Sequence, residues 1–149
     1  MTAPIKNPIV HPYICFEGRC EEALNFYAKA IGAKAGMLMR FKDAPPGNEG
    51  CPGGGTPPPA DKVMHSSFFV GESMIMVSDG MCSGKATFQG ISLSLSFPTE
   101  AEAKSAFNAL AEGGQPHMPL TKTFFSPCFG MVVDKFGINW MVIVPAPMP

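Results

Sequence analysis

His11, Tyr13 and Cys15 are spaced two residues apart, so an extended chain places an imidazole, a phenol and a thiol on one face. His65, on a later β-prone run, can reach the same face. Two imidazoles there could work as an acid/base pair, or as two ligands of a divalent metal ion completed by Asn139, water or a partner chain. Each also reads as an ordinary hydrogen-bonded strand residue. His117, the last of the three histidines, lies between Pro116 and Met118 in a loop and reads as solvated.

The thiols point to less chemistry. Five cysteines, Cys15, Cys20, Cys51, Cys82 and Cys128, are odd in number and contain no C-x-x-C pair, which argues against a disulfide framework and a structural zinc site. Cys20 opens a helix, where a thiolate would be favoured, but Glu21 and Glu22 beside it oppose that charge. Gly80-Met81-Cys82-Ser83-Gly84-Lys85-Ala86-Thr87 has the residue types of a phosphate loop and the wrong spacing, with alanine where a hydroxyl should follow lysine. It reads as a linker.

The elements that must position these groups alternate regularly. Residues 9–16 read as a strand limited by Pro12, which cannot donate to a ladder. Cys20–Ile31 has apolar residues at Ala23, Phe26, Tyr27, Ala30 and Ile31, acidic residues in its first turn and Gly32 just past its end, a helix with its usual stop. Residues 35–41 read as a strand, and 62–70 and 73–78 as a hairpin turning at Gly71-Glu72. Between them, Asp43–Asp61 holds six prolines and five glycines in nineteen residues, which predicts a long loop, either a lid or a plain insertion.

The same pattern then recurs. Residues 91–97 alternate as a strand, Thr99 and Glu102 form a capping-box pattern, and a helix runs to about Ala111 before Gly113-Gly114. Residues 118–123, 130–134 and 138–144 supply three more strands, the last two joined by Asp134-Lys135-Phe136-Gly137 as a tight turn. In the last strand Asn139, Met141 and Ile143 share one face and Ile138, Trp140 and Val142 the other. The expectation is an α+β domain spanning 1–149, with two tandem βαβββ modules at about 9–78 and 90–145 and a linker at about 79–89.

Composition narrows the partners. The 149 residues suit one sizeable core. Eleven basic against twelve acidic residues, without a basic cluster, give no footprint for nucleic acid or an anionic membrane. No apolar run has signal-peptide length or approaches the roughly 18–20 residues of a membrane span, so a cytoplasmic location is expected. Eleven methionines and twelve phenylalanines suit an adaptable apolar interior, and a small-molecule partner fits it.

Tyr13-Ile14-Cys15-Phe16-Glu17-Gly18, then Cys20-Glu21-Glu22-Ala23-Leu24, Phe26-Tyr27, Met64-His65, Gly71-Glu72-Ser73, Met76 and Ser78-Asp79 resemble the PhnB-like family of the vicinal oxygen chelate superfamily. Phe124-Phe125, Phe129-Gly130, Asp134-Lys135-Phe136-Gly137 and Trp140 complete the likeness. The superfamily includes glyoxalase I, bleomycin-resistance proteins and extradiol dioxygenases. The resemblance implies a curved, cup-like sheet with helices on the outside, and a homodimer. Its metal-ligand positions fall at His11, near Met76, near Ser92 and at Met141, where many relatives carry a glutamate; this set is short of hard ligands, so no cofactor is expected. Family members often bear a methyltransferase-type name, yet the sequence has no G-x-G turn of the Rossmann kind to support it. The implied function is binding of a small, partly apolar molecule without a metal, by His11, Tyr13, Cys15, Met76, Phe124, Phe125, Asn139 and Met141. The alternative is a glyoxalase-type lyase, isomerase or dioxygenase holding one divalent ion through His11 and His65.

Overall fold

The computed structural model describes residues 5–44 and 58–146. Two modules repeat one topology. The first contains β1 (Tyr13–Cys15), α1 (Cys20–Ile31), β2 (Lys34–Ala35), β3 (Met39–Arg40), β4 (Val63–Val70) and β5 (Ser73–Ser78). Its sheet runs β1-β5-β4-β2, with β3 also pairing β4. The second contains β6 (Leu93–Ser96), α2 (Glu100–Ala111), β7 (Gln115–Thr121), β8 (Cys128–Val133) and β9 (Asn139–Val144), in the order β6-β9-β8-β7. In each, the first strand lies parallel to the last and the remaining strand pairs are antiparallel. The α+β fold of two repeated modules is the one expected.

Local chemistry sets the boundaries. Helix α1 begins and ends as read, with Gly32 left-handed at φ 67° beyond its last turn. At α2 the Thr99 hydroxyl accepts the Glu102 N–H at 3.2 Å, the cap that its sequence signalled. Strand β1 is shorter than the 9–16 run. The Pro12 carbonyl still accepts from Met76 N at 3.0 Å, but the missing proline N–H ends the ladder there. The 35–41 run divides into β2 and β3, and Phe41–Asp43 turns as a 3-10 helix. The division falls at Gly36, whose backbone comes so close to β4 that an added Cβ would stand 2.6 Å from Ser67 Oγ. Of the predicted 43–61 loop, residues 45–57 lie outside the described residues. Its two ends are tied by Lys42–Asp61 at 3.0 Å and by Arg40 Nη1 on the Asp61 carbonyl at 2.7 Å.

Alternation along the strands sorts the two faces of each sheet. In β9, Trp140, Val142 and Val144 are buried while Asn139, Met141 and Ile143 are half-buried. The buried set meets Leu93 and Leu95 of β6, and α2 buries Ala103, Ala106, Phe107 and Leu110. In the first module α1 buries Cys20, Ala23, Leu24 and Tyr27, and the buried sheet residues include Phe68, Ile75 and Val77. Each helix therefore lies on the far side of its sheet from the half-open face.

Tyr27 joins the two halves. Its ring stacks on Phe68 at 5.3 Å and meets Trp140 edge-on at 5.6 Å. The Phe68 and Trp140 rings thus lie within about 11 Å of each other, whereas two strands four places apart in one sheet are separated by about 19 Å. The helix-bearing faces of the two sheets turn toward each other. Phe16, Phe26 and Phe136 close the aromatic cluster between them.

Candidate functional site

The strand register fixes which side chains share each open face. On the first sheet, Tyr13 pairs with Met76 and Cys15 with Ser78; Met76 pairs in turn with Ser67, two residues from His65 on β4. The Tyr13 hydroxyl and His65 Nδ1 are 3.0 Å apart, and the rings tilt together at 5.6 Å. On the second sheet Ser94 and Met131 flank Met141, and Asn139 lies beside Val133. Both faces are partly open, with Tyr13 50% and Met131 37% exposed.

A cavity of about 590 Å³ lies at the seam between the modules. Tyr13, Ile14 and Cys15 form one wall, Leu93, Ile138 and Asn139 another, and the linker residues from Lys85 to Gln89 a third. The linker is held in place by Glu17. Its carboxylate accepts Met81 N–H at 3.2 Å, Ser83 N–H at 3.3 Å and the Ser83 hydroxyl at 2.8 Å, and its carbonyl accepts Gly84 N–H at 2.8 Å. Glu17 itself is left-handed at φ 53°, a conformation that a non-glycine residue keeps only when its surroundings impose it. Phe88 then packs edge-on against Phe16 at 6.1 Å.

Residues 8–143 match the family described as 3-demethylubiquinone-9 3-methyltransferase. Protein YjdN of Escherichia coli (strain K12) is 36% identical over 142 residues, which are 93% of this chain and 96% of that protein. The crystal structure of PA1353 from Pseudomonas aeruginosa is also 36% identical, with a TM-score of 0.77 over 93% of this chain and 98% of the other. The PhnB protein of Bacillus cereus is 28% identical, with a TM-score of 0.72 over 91% and 98%. The chain belongs to this PhnB-like family. A glyoxylase/bleomycin resistance protein/dioxygenase domain from Frankia sp. EAN1pec shares the fold alone, at 13% identity, a TM-score of 0.63 and coverage of 94% and 98%.

In this PhnB-like chain the candidate residues divide. Tyr13, Cys15 and Asn139 come together at the seam cavity. His11 lines a separate cleft of about 850 Å³ with Ser92, between the β4–β5 hairpin and β6. Met76 and Met141 lie on the open faces of different sheets and border neither space. Phe124, fully exposed, meets Phe125 at 5.1 Å, and Phe125 meets Phe129 at 5.0 Å, a cluster likewise outside both. Lys85, Thr87 and Glu17 reach the cavity without having been candidates. Their segments have no periodicity from which a facing could be read.

A zinc or iron site asks for three or more hard donors in one place, and the sequence positions set out as metal-ligand candidates are His11, Met76, Ser92 and Met141. Here the matching positions hold one imidazole, one hydroxyl and two thioethers, and among the described residues no three His, Cys, Asp or Glu side chains gather. His65 Nδ1 is already engaged by Tyr13. This donor set does not fit a zinc or iron ion.

Cys20 is fully buried. Burial first, then the Asp79 carboxylate, pushes its thiol far above the ordinary 9.0. Burial and then Asp134 likewise push Tyr27 above its ordinary 10.0. Both groups hold their protons more tightly when folded. The stability they confer is therefore complete below the unfolded-state pKa values and is lost as pH rises through and beyond them. Urea unfolding should give level stability up to about pH 9, then a decline approaching about 1.4 kcal/mol per pH unit for each group. Unchanged stability at pH 10.5 would contradict this.

Proposed function

We propose that this chain binds a small, partly apolar molecule in the seam cavity without a metal ion, and does so as a cytoplasmic homodimer. The observation that carries the reading is the cavity itself. Its volume of about 590 Å³ lies within the range of small-molecule sites, and its walls mix Ile14, Phe88, Leu93 and Ile138 with polar groups from Tyr13, Lys85, Thr87 and Asn139. That combination gives an apolar body something to bury against and a few polar atoms to orient it.

The test is a small aromatic and aliphatic fragment set followed by amide NMR. Binding fragments should shift Ile14, Leu93 and Asn139 together, and Ala86→Trp, which fills the cavity from the linker, should weaken them by about tenfold or more. Shifts confined to other surfaces, or indifference to Ala86→Trp, would remove the cavity from consideration. For the dimer, the half-exposed rows around Tyr13, Phe69 and Met131 offer apolar surface to a second copy. Light scattering at monomer mass at micromolar concentration would rule that arrangement out.

A further inference from the structure

We infer that the seam cavity takes a neutral molecule with a cis-amide edge, of the lactam type, held by the main chain of Tyr13 and Cys15. The inference rests on the cavity reading above and names its ligand class. Strand β1 is the terminal strand of the first sheet, with β5 on its one paired side. In that parallel ladder the Pro12 carbonyl accepts Met76 N–H at 3.0 Å, and Phe16 N–H donates to the Ser78 carbonyl at 2.8 Å. Main-chain groups alternate in direction along a strand, so Pro12, Ile14 and Phe16 face β5 while Tyr13 and Cys15 turn their N–H and C=O groups outward. None of these four outward groups has a hydrogen-bond partner among the described residues.

The outward edge faces the cavity. Tyr13 and Cys15 lie on the open face of the sheet and Ile14 on the buried face, yet all three line one space, as they can where that space abuts the edge of the strand. No residue of β4 or β5 lines it. Two residues beyond Cys15, the Glu17 carbonyl takes Gly84 N–H at 2.8 Å. The linker meets the chain there and then stands off, so that Lys85–Gln89 form a separate wall and no strand pairs with the outer edge of β1. What is left is the Tyr13 carbonyl and the Cys15 N–H, an acceptor and a donor side by side. A cis amide presents the complement, an N–H beside a C=O on one planar edge, and closes two hydrogen bonds at once. A ketone or a carboxylate, an acceptor throughout, satisfies the Cys15 N–H and leaves the Tyr13 carbonyl desolvated. The ring that carries the amide buries against Phe88, Leu93 and Ile138.

Three probes share one ring body: dihydroquinolin-2-one, which carries the amide edge; 2-tetralone, in which CH2 replaces its N–H; and tetralin, which has neither polar group. Each would be titrated into the full chain and followed by amide NMR. The lactam should bind about tenfold or more tighter than 2-tetralone. At saturation it should slow hydrogen exchange of the Cys15 amide by about tenfold or more, an effect absent with tetralin. Shifts of Ile14, Leu93 and Asn139 with no preference for the lactam, or a lactam-bound chain whose Cys15 amide exchanges as before, overturn the amide edge and leave the cavity standing. If no probe shifts those three residues, both readings fall together.

Discussion

Replacing Asp134 by alanine is expected to cost about 4 kcal/mol of stability or more, enough to unfold many domains of this size. The carboxylate is 2% exposed and accepts from four donors. Trp140 Nε1 lies at 2.8 Å, Phe136 N at 2.9 Å and Ile138 N at 3.1 Å, and the Tyr27 hydroxyl completes the set. Two of these shape the β8–β9 turn and two reach the aromatic cluster between the sheets. No buried side-chain polar atom among the described residues lacks a partner, so the substitution would orphan several in a place that water does not reach. Asp134→Asn keeps the volume but turns an NH2 toward donors, and should fall between parent and alanine. Urea unfolding of the three proteins orders them, and an alanine variant within about 1 kcal/mol of the parent would contradict the account.

Asp79→Ala should be nearly as severe, at about 3 kcal/mol. Arg19 sits at the N-cap of α1 and supplies no side-chain cap. Asp79, fifty-nine residues from Cys20, does that work instead, taking Cys20 N–H at 2.7 Å and Gly18 N–H at 3.0 Å on one oxygen and Val63 N–H at 2.7 Å on the other. It is 1% exposed. One carboxylate thus fixes the start of a helix, the start of β4 and the departure of the linker. Loss of α1 signal ahead of global unfolding, seen by amide exchange at Cys20 and Ala23, is the expected accompaniment. Equal protection in parent and variant would mean that the cap is dispensable.

These two residues also show how far the sequence could be read. The Asp134-x-x-Gly137 turn was legible because Gly137 needs its positive φ of 92°, and α1 was legible because its apolar spacing, its acidic first turn and Gly32 agree. The reach of Asp134 to Tyr27, 107 residues away, leaves no local pattern. Period-two alternation correctly set Tyr13 and Cys15 on one face and Asn139 and Met141 on one face. It carries no information on how two sheets meet, and Met76 and Met141, grouped by facing with Tyr13 and Asn139, line neither the seam cavity nor the cleft beside His11. Pro12 announced a limit to β1 but not where the limit falls, because a proline that cannot donate can still accept, as it does from Met76. Lys85 and Thr87, read only as part of a linker, show the opposite case: their position comes from Glu17, in a contact between two irregular segments that no periodicity marks.

The ring of Tyr27 belongs to the first half of the sequence, yet its hydroxyl, its edge contact and much of its burial come from Asp134, Phe136 and Trp140 in the second. Cut between the repeats, either fragment would present this cluster to water and lose the partners of its most buried polar atoms. The repeat is thus visible in the order of strands, but the halves depend on each other, and cooperativity resides in the pair.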